Sequence, residues 1–199
     1  MGKRRADQLP GRLRFLREID KLKSLLRQTY LMNGSRRENS AEHSWHLAVM
    51  VLLLHGYSRE KVNVLKCLKM ALIHDIPEIL AGDVFIYATR ARKGYLGREL
   101  AAAKRLFGRL PRSQAREFLS LWRECETGKS PEARFVRAVD RLEPLMCNYA
   151  TRGRAWKKHG IRASQVRELN MPRMKAVPAI GDYVDRLISS AIRKGFLAG

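Results

Sequence analysis

Apolar residues recur along most of this chain at intervals of three and four, the spacing of one face of an α-helix. Leu13, Leu16, Ile19, Leu22 and Leu26 predict a first helix over about 11–31. The polar run NGSRREN follows, and Ser40 is placed to cap a second helix reaching about His55. Ser58 then caps a third, which carries Val62, Leu65, Leu68, Leu72 and Ile73. Pro77 falls where that helix must bend or stop. The segment AGDVFIYATRARKGYLG reads as a long loop, and long loops in compact domains tend to carry function. GRELAAAKRLFGRL forms a short helix ended by Pro111, and Ser113 opens another that runs to about Gly128. Ser130-Pro131-Glu132 is a strong helix start: a capping hydroxyl, proline at the first position, and an acid at the positive end. That helix carries Phe135, Val136, Val139, Leu142, Leu145 and Met146 to about Tyr149. TRGRAWKKHGIRAS reads as irregular and basic, and two or three helices close the chain near Gly195. No segment alternates convincingly with the period of a strand. The expectation is an all-α bundle and a single domain over 1–199, its core about 11–150 and a helical appendage about 151–199.

Polar residues break this pattern most sharply at IHDIPEILAGD (73–83), which holds His74, Asp75, Glu78 and Asp83 among apolar neighbours. Taken alone, His74 with Asp75 could serve as a helix-end hydrogen bond. Two further residues lie inside apolar helical patterns: His43 in RENSAEHSWHLA and Asp140 in FVRAVDRLEPLM. A buried aspartate is destabilising unless it is paired or bound to metal. Two histidines and two aspartates form a mixed nitrogen and oxygen donor set. It suits one octahedral divalent ion, such as Mn²⁺, Co²⁺, Fe²⁺ or Mg²⁺, and lacks the thiolates of a structural zinc site. Glu78 comes four residues after His74 and is expected on the same helix face, placed to act as a general base. Asp83 is the second carboxylate that acid–base chemistry needs. His46 and Trp45 read as packing or orienting neighbours of His43, and Glu99 and Glu143 as surface or supporting acids. Arg90, Arg92 and Lys93 either clamp phosphate from the long loop or stand in solvent.

Composition narrows the setting. The formal charge is +21, and residues 38–83 are the exception, with 4 basic against 6 acidic residues. A positive surface around an acidic cluster draws in polyanions, while a merely solvated basic surface explains the charge equally well. The three cysteines form no CxxC pair, which argues for a reducing compartment and against a disulfide framework. LAVMVLLL (47–54) is too short to span a bilayer, and the basic N-terminus carries no apolar signal core. A cytoplasmic protein with no membrane segment is expected.

The ordered series RRENSAEHSWHLA, KMALIHDIPEILAGD, RELAAAKRLFGRLP and PEARFVRAVDRLEPLMCNY resembles the HD-domain metal-dependent phosphohydrolases, in particular the small bacterial branch that includes 5′-deoxynucleotidases. The resemblance implies His43, His74, Asp75 and Asp140 as metal ligands and Glu78 as the residue that positions or activates water. It implies a supporting role for Asp83 in proton transfer or sugar contact, and Arg27 as a phosphate contact. The implied reaction is release of phosphate from (deoxy)nucleoside 5′-monophosphates by metal-activated water, and relatives of this kind are often homodimers. Two alternatives remain: a nucleoside triphosphate triphosphohydrolase, and a nucleic-acid-binding protein or phosphodiesterase that uses the basic surface.

Overall fold

The computed structural model describes residues 8–88 and 93–199. Helices dominate it, as the periodicity predicts, and the described residues contain one small sheet. The first helix, α1 (Leu9–Ile19), is shorter than expected; a 3₁₀ turn over Asp20–Ser24 follows. The chain then enters a strand, β1 (Leu26–Tyr30), paired antiparallel with β2 (Arg37–Asn39). The helical reading of 11–31 and the expectation of no strand are thus corrected. The spacing of Leu22 and Leu26 fits a helix, but Asn33 and Gly34, with Gly34 at φ +73°, make the turn of a hairpin instead.

Asn39, rather than Ser40, caps α2 (Ser40–Leu54): its side chain accepts from the Glu42 amide, and the Glu42 carboxylate accepts from the Asn39 amide. Asn63, rather than Ser58, caps α3 (Val64–Ile73), which leaves Val62 outside the helix. A turn over 74–77 separates α3 from the one-turn helix α4 (Glu78–Ala81). Then come α5 (Tyr95–Phe107), α6 (Arg112–Thr127) and α7 (Pro131–Ala150), the last capped by Ser130. The basic stretch after α7 is not irregular throughout, since it contains α8 (Arg154–Lys158). α9 (Ala163–Met174) and α10 (Pro178–Arg193) complete the fold.

α7 is the axis of the molecule: α2, α3, α6 and α9 all pack against it. Its 20 residues bury Phe135, Val136, Val139 and Leu142 at helical spacing. The main apolar cluster joins these to Leu47 and Val51 of α2, Cys67 and Met70 of α3, and Val166, Val184 and Ile188 of the last two helices. A second cluster holds Phe15, Ile73, Ile76, Leu106, Phe107 and Trp122. α3 contributes Met70 to the first and Ile73 to the second, so residues 74 and 75 emerge at the seam between two packed cores. There the Trp122 indole N–H donates to the His74 carbonyl (3.1 Å), satisfying an acceptor that the end of α3 leaves without a helical partner.

Candidate active site

Three elements bring polar groups to that seam. α2 supplies His43, fully buried one turn into the helix. The turn after α3 supplies His74 and Asp75, and α7 supplies Asp140. The structure brings these four together: donor atoms of His43, His74 and Asp75 all lie within 4.8 Å of one another. Asp140 Oδ1 is 3.0 Å from His43 Nε2 and 3.8 Å from His74 Nε2.

The atoms fit a divalent cation. His74 Nδ1 lies 2.9 Å from the Ala71 carbonyl, which only accepts, so Nδ1 carries the ring hydrogen. Nε2 then presents its lone pair; it is buried and has no hydrogen-bond partner. It nevertheless sits 3.0 Å from Asp75 Oδ1 as well as near Asp140. A lone pair facing two carboxylate oxygens is unfavourable unless a proton or a cation lies between them. The pKa directions agree. Burial opposes a charge on His74, but Asp75 and Asp140 together raise its pKa. Burial and Arg27 likewise oppose a charge on His43, yet Asp140 and Glu143 push it up to about 10. Burial would raise Asp140, but Arg141, His43 and His74 hold it well below the usual carboxylate range. Such a cluster demands positive charge, and its nitrogen and oxygen donors match hard or borderline divalent ions.

Behind the cluster lie Glu143, read from the sequence as a surface or supporting acid, and Glu38, not singled out there. Glu143 is fully buried, with Oε2 3.3 Å from His43 Nδ1 and Oε1 accepting from the Cys147 thiol at 2.8 Å. Its position three residues after Asp140, on the same face of α7, was the available signal. Glu38, from β2, is 3.7 Å from His43 Nδ1 and buried; burial, then Glu143, pushes its carboxyl up to about 7. Reading 33–39 as a polar loop concealed it. His46 Nδ1 stands 3.6 Å from Glu143 on the outer side, while Trp45 is largely exposed.

Glu78 does not share a helix face with His74, because the turn at 74–77 intervenes and Glu78 opens α4. It still reaches the site, buried, and the Ser40 hydroxyl donates to it at 3.2 Å. Burial, and then Asp75, raise its pKa well above that of a free glutamate. Asp83 follows Gly82, whose φ of +78° turns the chain back, and burial raises its pKa too. Both residues line the cavity that opens beside His74, Asp75 and Asp140. Glu99 is buried and lines it as well.

Arg27, on β1, lies inside the site: Nη1 is 2.7 Å from Asp75 and Nε is 3.4 Å from Glu38. Arg90 and Arg92 fall outside the described residues, and Lys93 is exposed and does not line the cavity. Phe85 and Tyr87, Arg137 and Arg141 of α7, Trp156 of α8 and Asn170 of α9 line the same cavity. The lining thus combines acids with aromatic, amide and guanidinium groups.

The family model of the HD domain matches residues 19–180. A mouse protein named 5′-deoxynucleotidase HDDC2 is 31% identical over 137 residues, 68% of this chain and 67% of its own length. The bovine protein of the same name is 33% identical over 135 residues, 67% of this chain and 64% of its own length. The chain thus spans about two thirds of these curated relatives. A solved structure from Magnetospirillum magnetotacticum MS-1, described as a predicted metal-dependent phosphohydrolase, is 47% identical. It superposes with a TM-score of 0.90 over 96% of this chain and 99% of its own.

Proposed function

The chain belongs to the HD domain family, and from that premise we propose that it is a metal-dependent phosphohydrolase releasing phosphate from nucleoside 5′-monophosphates, deoxyribonucleotides included. The observation that carries this reading is His74 Nε2, buried without a hydrogen bond and facing Asp75 and Asp140 beside His43. In this reading His43, His74, Asp75 and Asp140 hold one divalent ion. Their donor chemistry favours Mn²⁺, Co²⁺, Fe²⁺ or Mg²⁺. When bound, such an ion polarises a phosphoryl oxygen and acidifies water.

The protein's own groups do the remaining work. Glu78, held by the Ser40 hydroxyl, accepts a hydrogen bond from the attacking water and takes its proton as the bond to phosphorus forms. Its raised pKa makes it a stronger base than a free glutamate. Asp83, whose carboxyl is shifted by burial toward the protonated form, is the acid that delivers a proton to the 5′-oxygen as the ester bond breaks. Arg27 offsets carboxylate charge around Asp75 and Glu38, so that an anionic substrate is not repelled. The nucleoside lies toward Phe85, Tyr87 and Trp156, where flat rings suit a base.

The wider setting belongs to the same reading. One domain spans the chain, since the main apolar cluster includes residues on both sides of position 150. The protein acts as a homodimer in a reducing, cytoplasmic compartment, where its three unpaired, buried cysteines stay thiols. Among the described residues no helix is long and apolar enough to cross a membrane. Basic charge gives weak, salt-sensitive binding to nucleic acid as a side effect. The triphosphohydrolase and nucleic-acid readings draw no support from the relatives' names.

The test is a panel of ribo- and deoxyribonucleoside mono- and triphosphates, assayed with each divalent metal in turn. Orthophosphate from monophosphates is expected, and His74→Ala should lower turnover by at least about 10³-fold, as expected when a mechanistic unit loses a member. Tripolyphosphate as product, or full activity in His74→Ala, would refute the reading.

A further inference from the structure

Among the described residues three arginines line the cavity, and they differ in what holds them. Arg27 faces two carboxylates, Asp75 at 2.7 Å and Glu38 at 3.4 Å. Arg137 donates through Nη1 to the carbonyls of Cys125 and Glu126, at 3.1 and 2.8 Å, and stitches the end of α6 to α7. Arg141 is held more loosely than either. Its single ion-pair contact among the described residues is a loose one, Nη2 to Asp140 Oδ2 at 3.6 Å. Its Nε is buried and has no hydrogen-bond acceptor; Arg27 Nε is in the same state, but Arg27 keeps a 2.7 Å hydrogen bond from Nη1 to Asp75, and Arg141 has no comparable bond. The side chain is 19% exposed, and it lines the cavity together with Tyr87.

We propose that Arg141 is a catalytic residue that binds the phosphoryl group of the substrate, a role that rests on the phosphohydrolase reading above. Arg141 directly follows Asp140 on α7, so a phosphate oxygen drawn to an ion at Asp140 arrives within reach of the guanidinium. A guanidinium carries five N–H donors in a planar fork that matches two phosphoryl oxygens, and a buried donor without an acceptor favours any ligand that provides one. Charge builds on the equatorial oxygens as phosphoryl transfer proceeds, and a fixed cation there stabilises the transition state more than the ground state. Arg27, the residue that sequence resemblance puts forward for phosphate, is occupied by Asp75 and Glu38 and so acts chiefly on the metal side. The two arginines thus divide the work: Arg27 steadies a ligand carboxylate, and Arg141 grips the substrate.

Arg141→Ala and Arg141→Lys proteins, loaded with the metal that best supports the wild type, test this. The expected result is a loss of about 10²-fold or more in kcat/KM for Arg141→Ala, with partial recovery in Arg141→Lys. Metal content and Tm should stay at wild-type values. A second readout needs no turnover: inorganic phosphate binding, followed by calorimetry, should weaken at least tenfold in Arg141→Ala. Wild type binding phosphate no more tightly than Arg141→Ala overturns the assignment. So does an activity loss that extra metal fully restores, since Arg141 would then only support Asp140. A wild type inert on nucleotides that still binds phosphate through Arg141 would overturn the nucleotidase reading and leave this contact intact.

Discussion

His43 carries two ring nitrogens with carboxylates on both sides, Asp140 at 3.0 Å from Nε2 and Glu143 at 3.3 Å from Nδ1. With the Nδ1–H donating to Glu143, Nε2 is left with its lone pair toward the cation site; an orienting carboxylate behind a ligand histidine has this effect. The residues on the cation side were legible in sequence because each one interrupts an apolar helical stripe. Glu143 was harder to place, since a carboxylate beside Leu142 and Pro144 looks like any amphipathic boundary until the ring it faces is known. Asp83 offers a test at the same scale. Burial raises its pKa in the fold above the 3.8 of a free aspartate, so the folded state holds a proton that the unfolded state releases. Stability from this group is therefore full below the unfolded value and is lost as pH rises through the folded one. In metal-free protein, Asp83→Asn should melt higher than wild type at pH 7, with the gap closing by about pH 3.5. A gap that widens toward acid would contradict the burial of Asp83. Activity should fall in the same variant, because the amide has no proton to deliver.

Among the elements, the long helices were readable and the small ribbon was not. Ser130, Pro131 and Glu132 announce α7, and the structure has the Ser130 hydroxyl accepting from the Ala133 amide at 3.2 Å. Ser130→Ala should cost about 1 kcal/mol, read as a fall in Tm of roughly 2–4 °C. An unchanged Tm would mean that this end of α7 is held by packing alone. The ribbon β1–β2 escaped the periodicity because five residues and three give too short a pattern for alternation to show. Its signal was chemical instead: Asn33-Gly34 between Tyr30 and Arg37 is a turn, and reading it would have exposed both Arg27 and Glu38 as strand residues aimed at the site. Glu78 was drawn to the right place by a wrong register, since Pro77 ends the regular helix that the spacing argument assumed. Pro144 inside α7 has a related effect: without an N–H it cannot bond the carbonyl of Asp140 one turn earlier, which loosens the helix at a site residue.

For the molecule as a whole, charge and core pull in separate directions. The formal charge of +21 does not hold the fold together; it acts at a distance, on whatever anion approaches. If the positive surface steers substrate, kcat/KM for a nucleoside monophosphate should drop severalfold between low and high salt while kcat holds nearly constant, since screening weakens encounter rather than chemistry. A kcat/KM indifferent to salt would assign the charge to solubility alone. The core was legible as a class, an all-α bundle, but its extent was not. Residues after 150 read as an appendage, because sequence spacing cannot tell a helix that covers a core from one that completes it. Val166, Val184 and Ile188 share one apolar cluster with Leu47 and Phe135, and Trp156 and Asn170 line the cavity itself.

Arg154 links these parts across the chain. Its guanidinium lies 4.0 Å from the centre of the Tyr30 ring and donates to the Gly34 carbonyl at 2.6 Å, clasping the hairpin that carries Arg27 and Glu38. During synthesis this gives the protein a built-in order of events. Chains are made from the N-terminus at about 5–20 residues per second, so the hairpin waits several seconds for the residue that clasps it. Asp140 also emerges late, long after His43 and His74. A chain made only as far as α6 therefore offers two histidines and a ribbon but no closed pocket, and the site forms only after α7, α8 and α9 have followed.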